Sequence, residues 1–365
     1  MMSNFGKLNK LQINGYKSIA NLEVEFSNIN ILIGANGVGK SNFIGFFNFV
    51  RKIIDKELEL YVAQLGGANK ILHFGKKITS HLGFDLVFSP NRYKVVLKPT
   101  DDDKLMFFIE ETYIDSSNKN FLTSNTGNKE SVLPIYNQNG YGVNQYVMKY
   151  IKDWKVYHFH DTSKSSPMKQ PCNINDYYSL AVDGHNLSAF LYFIKINHEK
   201  SYTKIVKTIQ RVAPFFQDFI LESDVANQDM IKLRWKHKGS ELYFDSNDLS
   251  DGTIRFICLT TLLLQPNLPT IILLDEPELG LHPYALQILA SLFKVVSNKT
   301  QIIASTQSSI FADFFDIEDI IIADTKENAT IFNKLDTEKY KEWFEEYSVG
   351  EMWQKNLIGG VPNYD

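Results

Sequence analysis

The stretch Gly34-Ala35-Asn36-Gly37-Val38-Gly39-Lys40-Ser41 has the residue types and spacing needed to hold a phosphate. Its glycines let the backbone turn tightly enough for successive N–H groups to face phosphate oxygens. In a G-x-x-x-x-G-K-S pattern the lysine, Lys40, reaches the β- and γ-phosphates, and the Ser41 hydroxyl ligates Mg2+. Gly34, Asn36, Gly37, Gly39, Lys40, Ser41 and Asn42 form the expected nucleotide-binding set. Far along the chain, Ile271-Ile272-Leu273-Leu274-Asp275-Glu276 ends an apolar run in two carboxylates. Asp275 suits a second Mg2+ anchor, and Glu276 stands where a general base for water belongs. A third element, Leu249-Ser250-Asp251-Gly252-Thr253, precedes an apolar helical pattern. Ser250 reads either as a plain N-cap or, with Gly252, as part of a second anion site at a helix start.

Each motif needs an element to position it, and the patterning supplies them. Ile29–Ile33 is an almost wholly apolar strand that runs into the glycine loop. Phe43, Phe46, Phe47, Val50 and Ile54 then recur at helical spacing, which predicts an amphipathic helix. Leu11–Tyr16 and Leu22–Phe26 alternate as strands, as does much of Gly83–Thr112. Asp115–Asn144, rich in Asn, Ser, Gly and Lys, reads as a surface loop. Helical patterns follow at Leu187–Asn197 and Tyr202–Phe216, and Ile231–Lys238 alternates strictly as a half-exposed strand. A helix follows Ser250, a buried strand spans Thr270–Leu274, and Pro283 opens another helix. Further strands are expected at Gln301–Ala304, Ile320–Ala323 and Thr330–Phe332.

Together the three motifs resemble those of ABC-class ATPases, and more narrowly the heads of SMC and RecF proteins and the ATPase half of OLD proteins. Gly34–Ser41 matches Walker A, Leu249–Thr253 the signature motif, and Leu273–Pro277 Walker B. Glu278–Pro283 resembles the D-loop region, and the Gly15-Tyr16-Lys17-Ser18 turn is SMC-like. The tail, Ser348–Trp353 and Leu357–Gly360, resembles that of compact bacterial ATPases of this group. The resemblance implies an α/β P-loop fold with an N-terminal antiparallel β-subdomain and a large inserted α+β subdomain. Along the chain this gives an N-terminal lobe at 1–99, an inserted lid at 100–225 and a C-terminal lobe at 226–365. It also implies that two heads sandwich two ATP molecules with Mg2+, so that Ser250, Asp251 and Gly252 face the γ-phosphate held by a partner chain.

The family's switch histidine is replaced: the sequence reads Ser305-Thr306-Gln307-Ser308. Gln307 can hydrogen-bond a γ-phosphate oxygen but cannot carry a proton as an imidazolium does. Catalysis is thus expected from Lys40, Glu276 and Gln307, with slow turnover.

The charge balance, 38 basic against 42 acidic residues, argues against a purely electrostatic nucleic-acid binder and leaves room for a local basic patch. Lys232, Arg234, Lys236 and Lys238 share one strand face and are the candidate contact; a solvated sheet face is the plainer reading. His158, His160 and Asp161 read as structural rather than metal-binding, with both histidines on one face of a strand. His282 is either near the nucleotide or a helix-start residue. Asn333-Lys334-Leu335-Asp336 matches a guanine-specificity pattern by chance, and the expected nucleotide is ATP. The two cysteines make no framework, no stretch is apolar enough to span a membrane, and a cytoplasmic location is expected. About 80 residues follow Pro283, too few for the TOPRIM nuclease of OLD proteins. By resemblance, the chain would dimerise on ATP and control a separate, nuclease-like effector in bacterial anti-phage defence. The alternatives are a RecF-like repair ATPase that binds DNA itself, and an ATP-dependent scaffold without catalysis.

Overall fold

The structure, a computed structural model, describes residues 6–114, 119–124, 127–136, 142–336 and 338–361. In chain order the first elements are β1 (Lys10–Tyr16), β2 (Ile19–Glu25), β3 (Ile29–Ile33), α1 (Lys40–Ile54), α2 (Leu58–Gln64) and α3 (Ala68–Ile71). There follow β4 (Leu82–Val87), β5 (Asn91–Pro99), β6 (Leu105–Ile114), β7 (Lys119–Ser124), α4 (Leu133–Tyr136) and α5 (Val143–Lys152). The middle holds β8 (Lys155–Tyr157), β9 (Cys172–Asn173), α6 (Leu187–Asn197), α7 (Glu199–Val212), β10 (Phe216–Ile220), β11 (Met230–Ile231), β12 (Arg234–His237), β13 (Tyr243–Asp245) and α8 (Asp251–Leu264). The last part carries β14 (Ile271–Asp275), α9 (Pro283–Val296), β15 (Gln301–Ser305), α10 (Ser309–Ala312), β16 (Ile320–Lys326), β17 (Ala329–Lys334), α11 (Lys341–Glu346) and α12 (Val349–Gln354).

Two compact units result. The first comprises residues 1–154, 269–273 and 300–365; the second comprises 155–268 and 274–299. The division falls inside β14, after Leu273.

In the first unit an antiparallel sheet runs β2-β1-β4-β5-β6-β7. Alternation explains its strands: Tyr93, Val95 and Leu97 of β5 are fully buried while their neighbours are partly exposed. A second sheet in this unit has the order β17-β16-β3-β15-β14. β3 sits between β15 and β16 and is parallel to both. All five of its residues are buried, as a strand enclosed on both faces requires. The apolar stripe of α1 is buried as expected, with Phe43, Phe46, Phe47, Phe49 and Val50 at 1% exposure or less. Phe47 meets Trp154 edge-on at 5.2 Å, and Phe46 meets Tyr16 at 5.3 Å.

The second unit is built on helices, with α7 packed on α6 and α8, and α8 on α9. A three-stranded sheet β10-β12-β13 and a two-stranded sheet β9-β11 complete it.

Three readings of the sequence change. The segment Asp115–Asn144 is not one loop: β7 pairs with β6 within it, α4 is a short helix, and α5 begins at Val143. Residues 115–118, 125–126 and 137–141 of that segment lie outside the described residues. The alternating run Ile231–Lys238 is split: β11 pairs with β9, whereas β12 pairs with β10 and β13. Its burial alternation survives because Ile231, Leu233 and Trp235 all turn inward although the hydrogen-bond ladder breaks between them. The helix expected over Tyr202–Phe216 starts at Glu199 and stops at Val212, and Phe216 opens β10.

Candidate functional site

In the first unit the loop after β3 carries Gly34, Asn36, Gly37 and Gly39, and α1 begins at Lys40. Asn36, Gly37 and Ser41 are exposed, whereas Val38, Gly39 and Lys40 are buried. The Lys40 ammonium is folded onto the loop itself, with Nζ donating to the carbonyls of Gly34 at 2.6 Å and Ala35 at 2.9 Å. Gly39 has φ 108°, in the left-handed region that favours glycine. A Cβ there would stand 2.6 Å from Ser18 Oγ and closer still to Thr330 Oγ1. No side chain caps α1, and its first turn holds no acidic residue. An α-helix leaves its first N–H groups without intrahelical partners, so this start is open to an anion. Asn42 takes another role: its Nδ2 donates to Ser18 Oγ at 2.9 Å.

The strand neighbouring β3 ends in the predicted switch segment. Ser305 pairs with Leu32, and Thr306 N donates to Leu32 O at 2.9 Å, so the exposed Gln307 follows a strand registered on the one that feeds the loop. The first three residues of β14, Ile271–Leu273, lie next to β15 in the sheet order.

The second unit holds Asp275, Glu276 and the Ser250 turn. Glu276 has φ 44°, a left-handed conformation uncommon for a residue with a side chain. Backbone strain of this kind gathers at functional sites, and no sequence pattern announced it here. His160 lies against the same strand end, its Nε2 2.7 Å from the Asp275 carbonyl oxygen. Burial holds the His158 imidazole below its usual pKa, partly offset by the Asp275 charge. Both histidines follow β8 rather than lying in a strand, because β8 ends at Tyr157. Among the described residues no group of three or more His, Cys, Asp or Glu could hold a metal ion.

Ser250 is the N-cap of α8 and accepts from Thr253 N at 3.2 Å. Gly252 packs so closely on the turn after Glu276 that a Cβ would overlap the Gly280 carbonyl oxygen. Arg255, one turn into α8, is buried and donates to three main-chain oxygens: Phe159 at 2.9 Å, His160 at 3.0 Å and Leu279. Burial lowers its pKa, opposed by Asp251 and Glu278. The nearly buried Lys169 adds an ion pair to Asp251 at 3.5 Å and donates to Thr162 O at 2.6 Å. Neither Arg255 nor Lys169 was singled out by the sequence, since a cation inside an apolar helix pattern or a polar loop carries no local signal. His282 is the N-cap of α9, its Nδ1 accepting from Tyr284 N at 3.3 Å, which is the helix-start alternative.

The basic stripe is partly neutralised within its own unit. Lys232 pairs with Asp245, and Arg234 lies opposite the same Asp245 in the β12–β13 register. Behind it Trp235 is buried, stacks on Phe244 at 4.9 Å and donates from Nε1 to Asp245 O.

Comparison with known proteins bears on the fold. A family model described as "AAA domain, putative AbiEii toxin, Type IV TA system" matches residues 157–313. Among solved structures, an Smc head bound to the C-terminal winged-helix domain of ScpA is 15% identical with a TM-score of 0.55, covering 92% of this chain and 99% of that one. An Smc head with an extended coiled coil bound to the C-terminal domain of ScpA, from Pyrococcus furiosus, is 14% identical with a TM-score of 0.55, covering 93% and 98%. No curated protein matches the chain. The fold is therefore that of the Smc head domains.

Proposed function

We propose that this chain binds and slowly hydrolyses MgATP, and that ATP holds two copies together as a switch for a separate effector. The observation that carries the reading is the open start of α1 after the Gly34–Ser41 loop, with Lys40 poised on that loop's carbonyls. Lys40 shifts from those carbonyls to the β- and γ-phosphates, and Ser41 and Asp275 would hold Mg2+, which would neutralise phosphate charge. Glu276 takes the proton of the attacking water, and Gln307 donates to a γ-phosphate oxygen. Ser250, Asp251 and Gly252 serve the ATP of the partner copy. Gln307 donates a hydrogen bond but relays no proton, which keeps turnover slow and the ATP-bound state long-lived.

A nuclease-like effector and a role in anti-phage defence extend this reading. Their support is the matched family's description as a putative toxin of a type IV TA system. The Smc heads named above are seen with a domain of ScpA, which supports a head that works through a second protein. Direct nucleic-acid binding rests on Lys236 and Lys238, since Lys232 is already paired. Under this reading the working place is the cytoplasm.

Light scattering of Glu276→Gln tests the switch. Hydrolysis falls by about 10²–10⁴-fold in this variant, so ATP stays bound. The mass should double on adding MgATP, and an unchanged mass with ATP demonstrably bound refutes the sandwich.

A further inference from the structure

Thr330 lies in β17, about 290 residues from the loop it touches, and belongs to none of the motifs above. It is buried at 3% exposure. Its Oγ1 is 2.7 Å from the Val38 carbonyl oxygen and 2.8 Å from Ser18 Oγ. Ser18 Oγ in turn receives Asn42 Nδ2 at 2.9 Å, and Thr330 N donates to Ser18 O at 2.8 Å. A hydroxyl has one hydrogen, and a carbonyl oxygen can only accept. Thr330 is the donor in both contacts, so its one hydrogen is shared between Val38 O and Ser18 Oγ. Asn42 and Thr330 both donate to Ser18 Oγ, and Thr330 also to Val38 O, so the four groups form one network.

The Val38 end of this network sets the orientation of one peptide plane. In a trans peptide the C=O and the following N–H point to opposite sides. Holding Val38 O against Thr330 turns the Gly39 N–H the other way, away from β17. The same contact explains why position 39 has no room for a side chain.

We infer that Thr330 is a positioning residue for phosphate binding, fixing the Val38–Gly39 peptide through its hydroxyl with Ser18 and Asn42 behind it. This inference rests on the proposed ATP site and adds a part to it that no motif contains. It predicts a distinction that packing alone does not: valine fills the threonine's volume without the hydroxyl, and serine keeps the hydroxyl without the methyl.

The test is the dissociation constant of a fluorescent ATP analogue with Mg2+ on the full chain, for the parent, Thr330→Val, Thr330→Ser and Lys40→Ala. Loss of one hydrogen bond corresponds to about a tenfold weakening. Thr330→Val should weaken binding about tenfold and Thr330→Ser by no more than about twofold. Valine and serine variants that bind alike, whether both weak or both as the parent, overturn the inference. If Thr330→Val fails to fold, Thr330→Ala takes its place against Thr330→Ser. It should weaken binding about tenfold, and an alanine variant that binds as the serine variant does is then the overturning result. Equal binding by the parent and Lys40→Ala would instead remove the ATP site itself, a failure distinct from any difference among the Thr330 variants.

Discussion

The helix that follows the P-loop and the helix that follows Ser250 both begin in glycine-bearing turns, yet they finish their first turns in opposite ways. α1 has Gly39 as N-cap, no capping side chain and no acidic residue in its first turn. α8 has Ser250 accepting from Thr253 N and Asp251 in its first turn. The second helix thus satisfies one of its first N–H groups and sets a carboxylate at the positive end of its dipole. The first has neither device. Under the proposed function a phosphate supplies at α1 what Ser250 and Asp251 supply at α8.

This contrast can be broken by experiment. Its largest consequence is for ligand-linked stability: MgATP at about 100 times its dissociation constant should stabilise the chain by about 2.7 kcal/mol, read as a rise in melting temperature. Lys40→Ala should abolish that rise. If inorganic phosphate or ATP leaves the melting temperature of the parent unchanged, α1 is not the open start described. Next comes Gly252→Ala, which sets an added Cβ against the Gly280 carbonyl. Net of the better helix propensity of alanine, urea unfolding should show a loss of about 1–2 kcal/mol. The smallest effect belongs to the cap. Ser250→Ala should cost about 1 kcal/mol and Ser250→Gly only a few tenths, with ATP absent from both measurements. A neutral Ser250→Ala would mean that the cap does not set the stability of the first turn of α8.

The comparison also separates what sequence carries from what it does not. β3, its loop and α1 are legible because apolar run, glycine spacing and helical stripe are contiguous, and each predicts the next. The Ser250 cap is legible for the same reason. The strand β7 is not: it lies in a segment rich in Asn and Ser and takes its order from β6. The break between β11 and β12 is invisible because alternation reports which side chains turn inward, not which strand supplies the ladder. The partners of Val38 and of the Asp275 carbonyl, Thr330 and His160, come from distant parts of the chain and from residue types common everywhere. The left-handed Glu276 has no pattern at all, since its conformation is imposed by what surrounds it.

The place of β3 in its sheet has a consequence for how the protein is made. Its neighbours β15 and β16 start about 270 residues or more after β3 ends. At about 5–20 residues per second, roughly 15–55 s of synthesis pass before either strand exists. During that time Ile29–Ile33, buried in every position of the finished molecule, has no mate on either edge. The Gly34–Ser41 loop takes its place only once these strands are made. Slowing the ribosome between residues 40 and 300 should therefore lower the yield of folded protein more than slowing it after residue 334.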